Sequence, residues 1–246
     1  MILHFVYLIY KLFLLIPLFV QRKPKTPINS LHIEQDLKIL DKIPKHLAVL
    51  FWGEINEKRL KEAAQLCCWS WCSGIKMLSI YNVEDDLKNN AQLLQSYIDT
   101  FSRHFFINEK FIPIIRVTSL CASTKHIYSN NEDSSLPDMQ VNLISYADGR
   151  PQLVEVTKNL AEDVIQGKIT SDELDVEELD RRLSVPRFSE PQLLILFSPK
   201  IELEGFPPWH IHLTEIFHIP GNSDFHYSIF VKALRKYSKC DQRFGR

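Results

Sequence analysis

The sequence predicts an α/β fold, a mainly parallel central sheet flanked by helices, preceded by an N-terminal transmembrane helix. Two observations carry the sheet. Short, continuous apolar runs such as His46–Phe51 and Leu193–Phe197 read as strands buried on both faces, as a parallel sheet requires. Between such runs lie segments with apolar residues at helical spacing, which join successive parallel strands as crossovers. With 246 residues and 45% hydrophobic content, the chain can bury one sizeable core. The division expected is an anchor over 1–20, a basic linker and amphipathic approach over 21–43, a single domain over 44–240, and a tail over 241–246.

From Met1 to Val20 the chain is apolar apart from His4 and Lys11. As a helix this segment is about 30 Å long, close to the hydrocarbon thickness of a bilayer. Lys11 costs ~2.5–3.5 kcal/mol on insertion scales, reduced by snorkelling. No small-residue cleavage pattern precedes Gln21, which favours an anchor over a cleaved signal peptide. Arg22, Lys23 and Lys25 follow on the carboxyl side, so the positive-inside rule leaves the globular part in the cytosol. The five cysteines lack the spacing of a disulfide framework, which fits that reducing compartment.

Pro24 to Ser30 reads as linker and Leu31 to Leu40 as a short amphipathic segment. His46–Phe51 is the first strand, bounded by Pro44 and Gly53, and Glu57 to Cys72 is a helix that ends at Gly74, a residue suited to a left-handed cap. Lys76 to Tyr81 is a second strand and Leu87 to Phe105 a long second helix. Further strands are expected over Ile112–Val117, Val141–Tyr146 and Leu193–Phe197, with a helix over Pro151–Gln166 that carries proline in its first turn. Asn130 to Pro137 is polar and turn-rich, hence a loop. Phe225 to Tyr237 is a helix-like run leading to the carboxyl end.

Composition excludes some chemistries. A net charge of −1 gives no global basic field, so no nucleic-acid partner is expected. Cys67, Cys68 and Cys72 share a helix with Trp69 and Trp71 and have no neighbouring histidine, a packing cluster rather than a zinc site. His210 and His212 alternate like strand residues, with His218 beyond, and no cysteine or carboxylate stands at ligand spacing. The acidic stretch Asp172–Asp180 follows a capping box of Thr170 and Glu173 and reads as a solvated helix face.

Two segments carry a specific resemblance. Pro44-Lys45-His46-Leu47-Ala48-Val49-Leu50-Phe51-Trp52-Gly53 resembles the first strand and phosphate loop of the cis-prenyltransferases, the undecaprenyl and dehydrodolichyl diphosphate synthases. Glu190-Pro191-Gln192-Leu193-Leu194-Ile195, through Gly205-Phe206-Pro207-Pro208-Trp209 to Glu215-Ile216-Phe217, resembles their closing strand and substrate-loop region. Ser145-Tyr146-Ala147-Asp148-Gly149-Arg150 matches their strand-turn-helix.

The departures decide what the resemblance implies. Family enzymes end the first strand with Asp-Gly-Asn-Gly-Arg, where the aspartate helps hold Mg²⁺ against an allylic diphosphate. Here Trp52 takes the aspartate position, and tryptophan cannot ligate magnesium. In the closing segment the family reads Arg-x-x-Gly-Glu-x-Arg; Leu196 and Glu202 stand at the arginine positions and Lys200 at the metal-binding glutamate. Removing one donor to a developing phosphate charge typically costs ~3 kcal/mol, so losing the set implies no activity of the chain's own.

A degenerate core of this kind resembles the accessory subunit of eukaryotic dehydrodolichyl diphosphate synthase, the family that includes the Nogo-B receptor. The N-terminal apolar segment, Trp209-His210-Ile211-His212-Leu213-Thr214-Glu215-Ile216 and the ending Cys240-Asp241-Gln242-Arg243-Phe244-Gly245-Arg246 carry the likeness. It implies a heterodimer with a catalytic cis-prenyltransferase subunit at the endoplasmic reticulum membrane. It also implies Mg²⁺ held by the partner and none by this chain. Arg243, Phe244 and Gly245 would reach the partner's site and contact isopentenyl diphosphate. Arginine offers phosphate a planar fork of donors, and glycine lets a backbone N–H approach closely. The expected interface is Trp209, Ile211, Leu213, Glu215 and Ile216. The competing readings are a membrane receptor or scaffold without chemistry, and a self-sufficient synthase with rearranged ligands.

Overall fold

The structure, a computed structural model, describes residues 30–106, 111–121, 124–128, 136–183, 189–221 and 224–241. The expected anchor, the basic cluster after it, most of the 130–137 loop, and Arg243, Phe244 and Gly245 lie outside these residues. Among the described residues no helix is long and apolar enough to cross a membrane.

The amphipathic approach forms α1 (Ser30–Leu37), which sinks Ile33 into the core. Strand β1 (His46–Phe51) is buried at every position. Helix α2 (Glu57–Cys72) is capped by Asn56, whose side-chain oxygen accepts the Arg59 amide at 3.0 Å, and chain reversal follows at Gly74 with φ +80°. Strand β2 (Met77–Tyr81) comes next. The single helix expected over Leu87–Phe105 is instead a pair, α3 (Asp86–Asn89) and α4 (Ala91–Phe105). They break at Asn90 (φ −101°, ψ 16°), where the Asp86 carbonyl accepts both the Asn90 backbone amide at 3.1 Å and its side-chain amide at 2.8 Å.

Strand β3 (Ile115–Cys121) starts later than Ile112. Pro113 has no N–H, and the Ile114 amide is donated to the Asp138 carboxylate at 2.8 Å rather than to the ladder. An unexpected strand, β4 (Thr124–Tyr128), folds back antiparallel on β3. After β5 (Met139–Ile144) come α5 (Arg150–Ile165) and α6 (Val176–Leu183). The Thr170–Glu173 capping box is present between them, at 2.7 and 3.0 Å. Strands β6 (Leu193–Ser198) and β7 (Glu215–Pro220) and helix α7 (Tyr227–Ser238) complete the chain. His210 and His212 are not strand residues: Pro207 and Pro208 fix a single 3-10 turn over Pro208–His210, and pairing with β6 begins only at Glu215.

Among the described residues the strands form one sheet in the order β4-β3-β5-β2-β1-β6-β7, parallel except for the β3–β4 pair. The register sets Val49 beside Ile80 on one side and Ile195 on the other. Alternation along β1 divides the core between the two faces. Leu47, Val49 and Phe51 join the larger cluster with Leu60, Leu66 and Trp69 of α2, Leu94 and Ile98 of α4, and Phe230 and Leu234 of α7. Ala48 and Leu50 join a smaller one with Tyr81, Ile144, Leu194, Leu196 and Phe206. Cys67 and Cys68 are buried, and burial pushes the Cys68 thiol up to about 12, so both pack as small apolar side chains.

Candidate functional site

In open parallel sheets, ligands bind at the carboxyl ends of the strands where the strand order reverses. Here that point is β1, flanked by β2 on one side and β6 on the other. The chain leaves β1 through Trp52, whose amide donates to the Phe197 carbonyl at 3.2 Å, and turns at Gly53 with φ +83°. The buried Asn82 side chain, just past β2, donates to the carbonyls of Phe51 (3.0 Å) and Gly53 (2.8 Å). The turn is thereby fixed by a residue that nothing in the local sequence marked.

A helix N-terminus next to such a turn ordinarily favours anions. At α2 the surroundings oppose this. Glu54 is exposed beside Gly53 and Glu57 occupies the first helical turn; hydrogen bonds from Lys61 and then Tyr97 hold the Glu57 carboxyl below its usual range. Arg59, in the first turns of α2, is itself consumed. It is buried, pairs with Glu62 at 2.6 Å, and lies over the rings of Phe51 and Phe197 at 5.0 and 5.1 Å.

The other wall of the crevice is closed by carbon. Leu196 is 1% exposed within the smaller apolar cluster. Beyond β6 the chain folds inward: Glu204 has φ +50° and Gly205 φ +80°, and the Tyr81 hydroxyl donates to the Glu204 carbonyl. Phe206 is thereby wedged beside Tyr81, ring centroids 5.3 Å apart. The fit is tight, because a Cβ on Gly205 would meet the Tyr146 ring at 2.5 Å and one on Gly149 would meet the Gly205 carbonyl at 2.4 Å. Lys200 projects into solvent, its ammonium 4.0 Å from the exposed Glu202, a contact worth little.

The structure therefore gathers Trp52 and Leu196 near the ends of the central strands and leaves Lys200 and Glu202 outside on the loop. Magnesium needs several hard oxygen donors around it, and an indole, an aliphatic side chain and an ammonium supply none. These residues do not fit the metal. Among the described residues no cluster of three or more His, Cys, Asp or Glu could hold one.

The expected interface residues fall along one stretch. The Trp209 indole donates to Asp180 at 3.0 Å, and Ile211 packs half-buried against the smaller cluster. Leu213 and Ile216 are exposed, 46% and 48%, and Glu215 opens β7, which pairs only with β6 among the described strands. An edge strand with exposed apolar side chains is a pairing surface unless something covers it.

The sequence model for undecaprenyl diphosphate synthases matches residues 57–245. The chain belongs to the undecaprenyl diphosphate synthase family of cis-prenyltransferases. Within the cis-prenyltransferases it is 34% identical over 217 residues to the dehydrodolichyl diphosphate synthase complex subunit nus1 of Schizosaccharomyces pombe, covering 87% of this chain and 81% of that one. The subunit of the same name in Homo sapiens is 28% identical, with 86% and 70% covered. Tritrans,polycis-undecaprenyl-diphosphate synthase of Pyrococcus horikoshii is 22% identical, with 83% and 88% covered. In fold, the chain resembles lavandulyl diphosphate synthase of Lavandula x intermedia, with TM-score 0.57, 20% identity and 82% of this chain covered. A cis-prenyltransferase fold is thus present, with Leu196 and Phe206 packed on one face of its central strands and Arg59 committed on the other.

Proposed function

We propose that this chain is the non-catalytic, activity-essential subunit of a dehydrodolichyl diphosphate synthase complex. The complex condenses isopentenyl diphosphate onto farnesyl diphosphate and yields the polyprenyl diphosphate precursor of dolichol used in protein glycosylation. The carrying observation is the crevice itself. Ionising an allylic diphosphate requires metal and positive charge aimed at the departing phosphate, and here Trp52, Leu196, Lys200 and Glu202 offer neither in place. The similarity to complex subunits supplies the context: a catalytic cis-prenyltransferase partner brings the Mg²⁺ site. This chain contributes Arg243, Phe244 and Gly245 of its tail to isopentenyl diphosphate in that site.

In the same reading, residues 1–20 anchor the chain in the endoplasmic reticulum membrane as a single span with the domain cytosolic. The product is apolar and leaves into a bilayer, so an anchor at the site of synthesis has a physical use. The surface around Trp209, Ile211, Leu213, Glu215 and Ile216 faces the partner. The test is incorporation of labelled isopentenyl diphosphate by each full-length chain alone and by the pair. The purified chain should polymerise nothing, the pair should be active, and Arg243→Ala should sharply lower turnover while the two chains still co-purify. Magnesium-dependent elongation by this chain alone would sink the proposal. A pair indifferent to Arg243→Ala would remove the tail from it.

A further inference from the structure

The two ends of the described chain are bound to each other by a set of polar contacts that the sheet does not need. Asp36, at the end of α1, pairs with Arg235 at 2.6 Å and accepts the Tyr227 hydroxyl at 3.2 Å, both on α7. Ser238, the last residue of α7, accepts the Asp41 amide at 2.7 Å and the Lys42 amide at 3.5 Å through its hydroxyl oxygen. The Lys42 ammonium donates to the Cys240 carbonyl and lies 5.0 Å from the centre of the buried Tyr237 ring. The Cys240 amide donates to the Tyr237 carbonyl at 3.0 Å.

The chemistry of a helix end explains what these contacts do. The last turn of a helix leaves carbonyls without intrahelical donors, and chain termini fray unless tied down. At α7 the local amides of Lys239 and Cys240 cap the Lys236 and Tyr237 carbonyls, and a segment nearly 200 residues distant adds ties to the side chains of Tyr227, Arg235 and Ser238 and to the Cys240 carbonyl. A lysine at a helix C-terminus also suits the negative end of the helix dipole. The chain therefore leaves a fixed point rather than a frayed one at the place where the terminal residues begin.

We propose that Lys42, Ser238 and Asp36 form a clasp that sets the origin of the C-terminal tail, making them positioning residues for the complex's use of isopentenyl diphosphate. This rests on the reading of the tail given under Proposed function. A short tether delivers its end at high effective concentration only when its base is fixed within reach of the target. The clasp also fastens that base to the segment that follows the proposed membrane anchor.

The experiment uses the full-length pair in detergent, with kcat and KM for isopentenyl diphosphate measured for Lys42→Met, Ser238→Ala and Lys42→Arg, each alone and combined with Arg243→Ala. Lys42→Met and Ser238→Ala should each raise KM about fivefold, the factor corresponding to one ordered hydrogen bond. Their kcat should change less, co-purification should be unchanged, and Lys42→Arg should recover most of the loss. In the Arg243→Ala background the clasp variants should have little further effect, since a tail without its arginine has nothing to position. If Arg243→Ala lowers turnover but the clasp variants match the unmodified pair, the clasp is wrong and the tail's role stands. Equal losses in both backgrounds would mean a general structural effect and also overturn it. No effect of Arg243→Ala would remove the tail's role and the clasp together.

Discussion

Replacing Arg59 by leucine tests whether the cation that lies over Phe51 and Phe197 is structural. The guanidinium and the Glu62 carboxylate are 2.6 Å apart with side chains only 8% and 11% exposed, so Arg59→Leu leaves a buried carboxylate without this partner, keeping the hydrogen bond from the Phe225 backbone. Breaking a buried pair by removing one member typically costs about 3–5 kcal/mol. For a chain of this size that lowers the midpoint of thermal unfolding by about 6–20 °C. The loss should depend on pH. Burial raises the Glu62 pKa above its ordinary 4.5 and Arg59 opposes the rise, so removing Arg59 lets the folded-state value climb further. An acid whose folded pKa exceeds its unfolded one leaves stability intact below the unfolded value and removes it as pH rises through the folded value. The deficit of Arg59→Leu should therefore be greatest at pH 8 and shrink toward pH 5, and adding Glu62→Leu should restore most of it at pH 8. The assay is urea denaturation of the detergent-solubilised full-length chain, followed by tryptophan fluorescence at both pH values. A deficit under about 0.5 kcal/mol, or one indifferent to pH, would refute the assignment of Arg59 to a closed internal pair.

Two further outcomes follow from the crevice. Trp52→Asp restores one metal-binding residue type but leaves Leu196 and Glu202 where phosphate clamps are needed, so the isolated chain should still show no magnesium-dependent incorporation of isopentenyl diphosphate; measurable elongation would contradict this. Gly205→Ala should destabilise the chain more than Gly74→Ala. Both glycines have φ +80°, but a Cβ at Gly74 meets nothing within 4 Å whereas one at Gly205 strikes the Tyr146 ring. The left-handed conformation alone costs about 1–2 kcal/mol, and paired urea curves would show the excess at Gly205.

Legibility in the sequence tracked how local the determining physics was. Strand β1 and helix α2 were readable because burial on both faces forces a continuous apolar run and because Gly74 carries its own capping chemistry. Strand β7 was missed as an element because it lies at an edge: Ile216 is exposed and Phe217 buried, a pattern that short loops share. The division of α3 from α4 falls at the single residue Asn90, whose departure from helical dihedrals the periodic pattern does not mark. Trp52 and Leu196 were singled out through the resemblance alone, and the structure adds where they lie, Trp52 just past β1 and Leu196 buried within β6. The role of Asn82 was not readable, since its partners lie at the end of β1, and that of Arg59 rests on the Phe51 and Phe197 rings as well as on Glu62 of its own helix. The inward fold of residues 203–206 was equally hidden, as it depends on Tyr81 and Tyr146 meeting it from elsewhere.

An apolar residue at position 196 also changes what the fold can tolerate. A phosphate-binding arginine at position 196 would be held among Ala48, Leu50, Tyr81 and Phe206, and a buried cation without its anion is costly. Leucine there removes that cost and adds apolar contact, which is the usual direction of the trade between activity and stability. Around Leu196, Phe206 and the Tyr81 hydroxyl fill the space, and Gly149 and Gly205 leave no room there for a side chain. The same packing would resist the introduction of a phosphate site, because each added polar group would have to displace a packed side chain. A chain in that condition keeps its value through surfaces and ends that the closed crevice leaves unaffected. The exposed edge of β7 and the clasped end of α7 are both of this kind, and both lie in the carboxyl-terminal part that follows the closure.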